Sequence, residues 1–93
     1  MSAYWIIDQD LLGIPPLEKG TMGPGRLRAR AVDNLLRPDF GHVFRMGDDD
    51  GVVYYQGRCS VVDDFAPLDD FGMPDSGCTW IEYKNKNGEW ERL

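Results

Sequence analysis

Asn87-Gly88 constrains this chain more tightly than any other pair of residues. The dipeptide is the preferred centre of a type I′ turn, because both central positions need positive φ, and strand-forming residues flank it on both sides. Centring a two-residue turn there sets Lys86 opposite Glu89, Asn85 opposite Trp90, Lys84 opposite Glu91 and Tyr83 opposite Arg92. Both opposed charge pairs then share one face of the hairpin, while Ile81, Tyr83 and Trp90 share the other, which is the face for a core. Trp80 falls on the charged face, where a covering element or a contact role would account for it.

The remainder of the chain reads as short elements between breakers. Tyr4-Trp5-Ile6-Ile7 is aromatic and β-branched, the composition of a strand. Seven glycines and prolines from Gly13 to Gly25 then mark a long connection, with Leu11, Leu12, Ile14 and Leu17 available to pack on a core. Arg26 to Leu36 carries the one helical pattern: Leu27, Ala31 and Leu35, with Val32 and Leu36, repeat at i, i+4. Pro24 suits the first turn of such a helix, and Arg37-Pro38 discourages its continuation. Arg26, Arg28 and Arg30 also alternate as a strand would, but over about six residues against about eleven for the helix.

His42–Met46 and Gly51–Tyr55 are β-type runs around Gly47-Asp48-Asp49-Asp50, an acidic hairpin loop. The second run is expected to continue to Val62, with Gly57 marking a bulge or a crowded backbone approach. Asp63 to Cys78 is a structured loop pinned by Phe65, Leu68, Phe71 and Met73. The fold expected is α+β in a single domain of residues 1–93: a small, mostly antiparallel sheet of about five strands with one helix packed on one face.

Charge is distributed unevenly. Asp48 to Asp75 holds eight carboxylates, all aspartate, against the single base Arg58, a local charge of −7 within a chain of formal charge −6. Aspartate favours turns and strand ends over helix interiors, so these groups belong in loops. A chain this acidic is not expected to bind nucleic acid or an anionic membrane surface directly. No secretory signal is expected ahead of the first strand, and no stretch approaches the roughly 20 apolar residues of a membrane span. Cys59 and Cys78 are then expected as reduced thiols in a cytoplasm.

Residue types for chemistry are present, but their spacing argues against it. His42 is the only histidine, and no nucleophile signature surrounds Cys59 or Cys78. Asp48-Asp49-Asp50-Gly51 lacks the alternate spacing of an EF-hand, and Gly57 stands where the bidentate glutamate would be required. One histidine and two separated cysteines do not make a zinc site. Paired carboxylates could serve glycoside chemistry only in a cleft that a chain of this size hardly provides. The reading is therefore of no catalytic residues, no metal ligands and no cofactor.

What remains is the acidic surface. Carboxylates at hairpin ends and in neighbouring loops can form a row whose spacing approaches that of phosphates, which recur every ~3.4 Å along a strand. Asp48, Asp49, Asp50, Asp63, Asp64, Asp69, Asp70 and Asp75, interleaved with Tyr54 and Tyr55, are the expected partner-binding residues. The expected partner is a basic protein surface, of the kind found in a nucleic-acid-binding effector complex. In profile, though in no alignable motif, such a chain resembles the anti-CRISPR proteins and other DNA mimics encoded by phages and mobile elements. An accessory module binding a basic partner is the alternative, and a metal binder or small enzyme using His42, Cys59 and the aspartates is the third reading.

Overall fold

In the computed structural model, which describes residues 3–10, 21–23, 33, 37 and 39–93, six strands form one sheet. They are β1 (Trp5–Asp10), β2 (Thr21–Gly23), β3 (His42–Gly47), β4 (Val53–Cys59), β5 (Trp80–Lys84) and β6 (Trp90–Arg92). Their order is β2-β1-β4-β3-β5-β6, and every neighbouring pair is antiparallel. β4 and β3 lie at the centre, where β-branched and aromatic residues find partners on both sides.

The expected α+β architecture is not what forms. Among the described residues the helical segments are a π-helical turn, Leu68–Gly72, and a four-residue α-helix, α1 (Met73–Ser76), that follows it directly; Asp33 is also helical, and no helix reaches seven residues. Neither segment is the helix read from the i, i+4 stripe. The stretch Arg26 to Leu36 lies outside the described residues apart from exposed Asp33, as do Arg26, Arg28 and Arg30 and the apolar residues Leu11 to Leu17. Thr21–Gly23, read within a long connection, is instead an edge strand on β1. β4 ends at Cys59 and does not reach Val62, because the chain turns at Ser60 and Asp63 takes a left-handed φ of 59°.

One face of the sheet carries the core. Register places Met46 between Tyr55 and Ile81, Phe44 between Gly57 and Tyr83, and Trp5 beside Cys59. The segment from Leu68 to Ser76 covers this face with Leu68 and Phe71 buried, whereas Phe65 and Met73, expected as anchors, stay about half exposed at 47% and 51%. Phe71 meets Trp5 and Tyr55 at ring-centroid distances of 5.6 and 5.1 Å, and Phe44 meets Tyr83 at 5.9 Å. Burying one such ring contributes about 1.5–3 kcal/mol, so a short cover suffices to close the sheet.

Two glycines permit this closeness. A Cβ on Gly72 would sit 2.5 Å from the Met46 sulfur, and one on Gly57 would sit 2.0 Å from the Ile6 carbonyl oxygen and 2.9 Å from the Phe44 ring. Gly57 is therefore the crowded backbone approach and not the bulge. The β3–β4 register shifts between Met46 and Gly47, where Tyr54 of β4 is the extra residue, and β1 is irregular between Ile7 and Gln9. Gly77, in the left-handed region at φ 71°, ends α1 by donating its N–H to the Met73 carbonyl at 3.0 Å.

The hairpin at Asn87-Gly88 forms one residue out of the expected register. Glu82 faces Arg92, Tyr83 faces Glu91 and Lys84 faces Trp90. The turn is a three-residue loop: Asn85 N–H donates to the Glu89 carbonyl at 2.8 Å, and Gly88 N–H to the Asn85 carbonyl at 3.0 Å. Gly88 alone takes positive φ, at 83°, while Asn87 does not, so a type I turn with a glycine bulge replaces the type I′ turn. The Asn85 side chain selects it by accepting both the Asn87 and Glu89 N–H groups at 2.9 Å.

The slip moves Trp90 to the face away from the core. There Glu82 accepts from Arg45 at 2.8 Å and from Arg92 at 3.2 Å. The Arg45 guanidinium lies 4.3 Å from the Trp90 ring centroid, and that of Arg92 lies 4.4 Å from the Trp80 ring. Trp80 is thereby covered, at 8% exposure, with its indole N–H on the Asp48 carbonyl and its ring against Gly47.

Candidate functional site

The acidic residues are set by three local structures. Asp48 to Val52 joins β3 to β4 in the same way that Asn85 to Glu89 joins β5 to β6. Asp48 N–H donates to the Val52 carbonyl at 3.1 Å, Gly51 N–H to the Asp48 carbonyl at 3.0 Å, and Gly51 takes φ 81°. Oδ1 of Asp48 accepts the Asp50 and Val52 N–H groups, each at 3.0 Å, and Oδ2 accepts the Tyr54 hydroxyl at 2.7 Å. That hydroxyl is the main reason the Asp48 carboxyl lies below its ordinary range, and the same bond raises the Tyr54 phenol. Asp48 thus shapes the turn, while Asp49 and Asp50 project from it, exposed.

Asp63 and Asp64 follow β4. Asp64 accepts the Ala66 N–H at 2.7 Å through its side chain and the Tyr83 hydroxyl at 2.7 Å through its carbonyl. Burial pushes the Tyr83 phenol far above its ordinary value, so it remains a donor. Asp63 is exposed. Asp69 and Asp70 lie on the π-helical turn; Asp70 accepts the Trp5 indole N–H at 3.1 Å, and Asp69 faces water. Asp75 belongs to α1, and its side chain is outside the described part of the structure.

Of the two tyrosines read as contacts, Tyr55 is buried in the core with its hydroxyl against Ser76, and Tyr54 is half-buried with its hydroxyl on Asp48. Asp48, Asp64 and Asp70 likewise hold the fold together. The carboxylates left facing outward are Asp49, Asp50, Asp63 and Asp69. None has a hydrogen bond or ion pair among the described residues, where the ion pairs are Arg37–Asp39, Arg45–Glu82 and Arg92–Glu82.

Topology separates these four. Asp49 and Asp50 stand beyond Gly47 and Val53, and Asp63 beyond His42 and Cys59, at the opposite end of the same two strands. Five residue rises along β3 put roughly 17 Å between those ends. Asp69 lies on the segment that covers the core face between them. The outward carboxylates therefore stand at both ends of the β3–β4 pair and on the segment that covers the core, and are not gathered at a point.

Neither thiol is placed for chemistry. Cys59 and Cys78 are free and fully buried, and burial raises both, Cys78 to about 11. His42 is exposed at the start of β3. Among the described residues no group of three metal-ligating side chains comes together, and no helix is long and apolar enough to cross a membrane. The Asx-glycine spacing shared by Asp48-Asp49-Asp50-Gly51 and Asn85-Lys86-Asn87-Gly88 is the sequence signal that identifies Asp48 as a turn former. Compared with known proteins, the chain matches no family model, and no curated protein or solved structure is significantly similar to it.

Proposed function

We propose that this protein is a small, non-enzymatic acidic inhibitor that occupies the basic, nucleic-acid-binding surface of a larger cytoplasmic machine. The observation that carries the reading is the set of outward carboxylates: Asp49, Asp50, Asp63 and Asp69 are exposed and form no ion pair among the described residues. Their span of roughly 17 Å corresponds to about five phosphate intervals of one nucleic-acid strand. Charges held apart on turns and a helical segment keep their geometry at little entropic cost on binding. Attraction of this kind acts mainly on the rate of encounter and weakens with salt.

The test is capture of partners from a bacterial lysate on the immobilised protein at low and high salt, followed by competition with DNA and RNA. A nucleic-acid-binding protein retained at low salt, released at high salt and displaced by its own nucleic acid supports the reading. The quadruple variant Asp49→Lys, Asp50→Lys, Asp63→Asn, Asp69→Lys, with asparagine where the backbone is left-handed, is expected to lose that capture while remaining folded, because exposed surface substitutions stay within about 0.5 kcal/mol each. Capture that survives both the variant and high salt overturns it.

A further inference from the structure

The end of the sheet that carries Asp63 also holds an open groove of about 330 Å³. The loop after β4 supplies Val62 and Asp63 to it, the β5–β6 hairpin supplies Lys84, Lys86 and Glu91, and His42 comes from β3. The two sides carry opposite charge. Glu91, the acid on the basic side, already accepts the Asn85 amide at 2.8 Å. Asp63, Lys84 and Lys86 form no ion pair with one another or with any other described residue, although they line one groove. The Lys84 ammonium also lies 5.7 Å from the Trp90 ring centroid, and opposite charges that line one groove without pairing leave room for a ligand that satisfies both.

Both sides of the groove are fixed in advance. Tyr83 donates to the Asp64 carbonyl and Ser60 N–H to the Tyr4 carbonyl at 2.8 Å, which ties down the loop bearing Val62 and Asp63. The Asn85 side chain locks the facing turn through the Asn87 and Glu89 N–H groups. Asp63 is the only described non-glycine residue with positive φ, at 59°. Aspartate is among the few non-glycine residues that adopt this conformation readily, so the turn is held there without much strain. Val61 and Val62 are 47% and 45% exposed beside it, so the acidic side also offers apolar surface.

We infer that this groove binds a small zwitterion, an α-amino acid or a short peptide, with its ammonium at Asp63, its carboxylate at Lys84 and Lys86, and an apolar side chain on Val62. The lining residues are mostly charged and polar, with Val62 and the Tyr83 ring as the apolar part, which suits a small charged ligand that carries one apolar group. The site does not depend on the inhibitory reading, although Asp63 enters both.

The experiment is an amide chemical-shift titration of the intact, isotope-labelled protein with L-leucine and with leucyl-leucine. N-acetyl-leucine, which lacks the ammonium, and leucinamide, which lacks the carboxylate, serve as controls. Saturable shifts confined to residues around Val62, Asp63 and Lys84 to Lys86 are expected for the zwitterions. Each control should bind about tenfold more weakly, the loss of one charge-assisted contact. Asp63→Asn keeps a residue suited to the left-handed backbone while removing its charge, and Lys84→Gln with Lys86→Gln removes the other pole. Both variants should lose the response with the remaining spectrum unchanged. The lysine variant should still capture the basic partner, which separates the two proposals. No saturable shift, an equal response to all four compounds, or an undiminished response in the variants overturns the inference.

Discussion

A carboxylate that already accepts three hydrogen bonds behaves differently from one facing water, and Asp48 and Asp49 stand side by side as that contrast. Asp48 is held below its ordinary value of 3.8, chiefly by the Tyr54 hydroxyl and then by the Val52 and Asp50 N–H groups. Because its folded pKa lies below the unfolded one, its contribution to stability is present above about 3.8 and is lost as pH falls through the folded value. Thermal melts of the native protein and of Asp48→Asn, from about pH 7 to about pH 2, check this. The variant should melt lower at neutral pH, and the gap should narrow under acid; a gap constant across the range would contradict it. The sequence presented the eight aspartates as one block, and Asp49, Asp50, Asp63 and Asp69 do face outward. That Asp48, Asp64 and Asp70 serve the fold was hidden for different reasons. Asp48 depends on the choice of turn type, while Asp70 finds its partner in Trp5, 65 residues away.

At the scale of elements, turn chemistry decides which face of a hairpin looks inward. Strands β3, β4, β5 and β6 were legible from composition and from their turn residues. Asn-Gly alone, however, does not distinguish a two-residue loop from a three-residue loop with a glycine bulge. An acceptor side chain three positions before the glycine favours the longer loop, and the one-residue difference carries Trp90 from the core to the Arg45 side. Removing that acceptor should therefore matter more than removing its neighbour. Asn85→Ala is expected to lower unfolding free energy by about 1 kcal/mol, while Lys86→Ala should stay within about 0.5 kcal/mol. Denaturant melts give both values, and hydrogen exchange at the Glu89 amide should quicken in Asn85→Ala alone. Equal losses in the two variants would show that the side chain does not set the turn.

At the scale of the whole molecule, among the described residues, the segment from Leu68 to Ser76 closes the face of the sheet that carries the core. The sequence marks Asp63 to Cys78 as a structured loop and assigns the helix to Arg26–Leu36, which lies outside the described residues apart from Asp33. Yet Gly72, Pro74 and Gly77, which read as breakers, allow two short turns to lie close enough for Phe71 to reach Trp5 and Tyr55. Cys59 and Cys78 sit inside this core and report on its integrity. Both are fully buried and raised by burial, Cys78 to about 11, so neither thiolate forms readily near neutral pH. A thiol reagent should label the folded protein negligibly, label both cysteines together in denaturant, and follow the global unfolding transition in between. Early labelling of Cys78 alone would show that the cover lifts before the sheet opens.

The sheet also ends in a particular way. Among the described residues, β2 and β6 stand at its two margins, and each is three residues long. A foreign strand docking there would find about 10 Å of backbone to copy, and on β6 it would meet Glu91 and Arg92. The folded molecule is consequently a poor template for fibril growth, and at high concentration amyloid-type assembly should begin from unfolded chains.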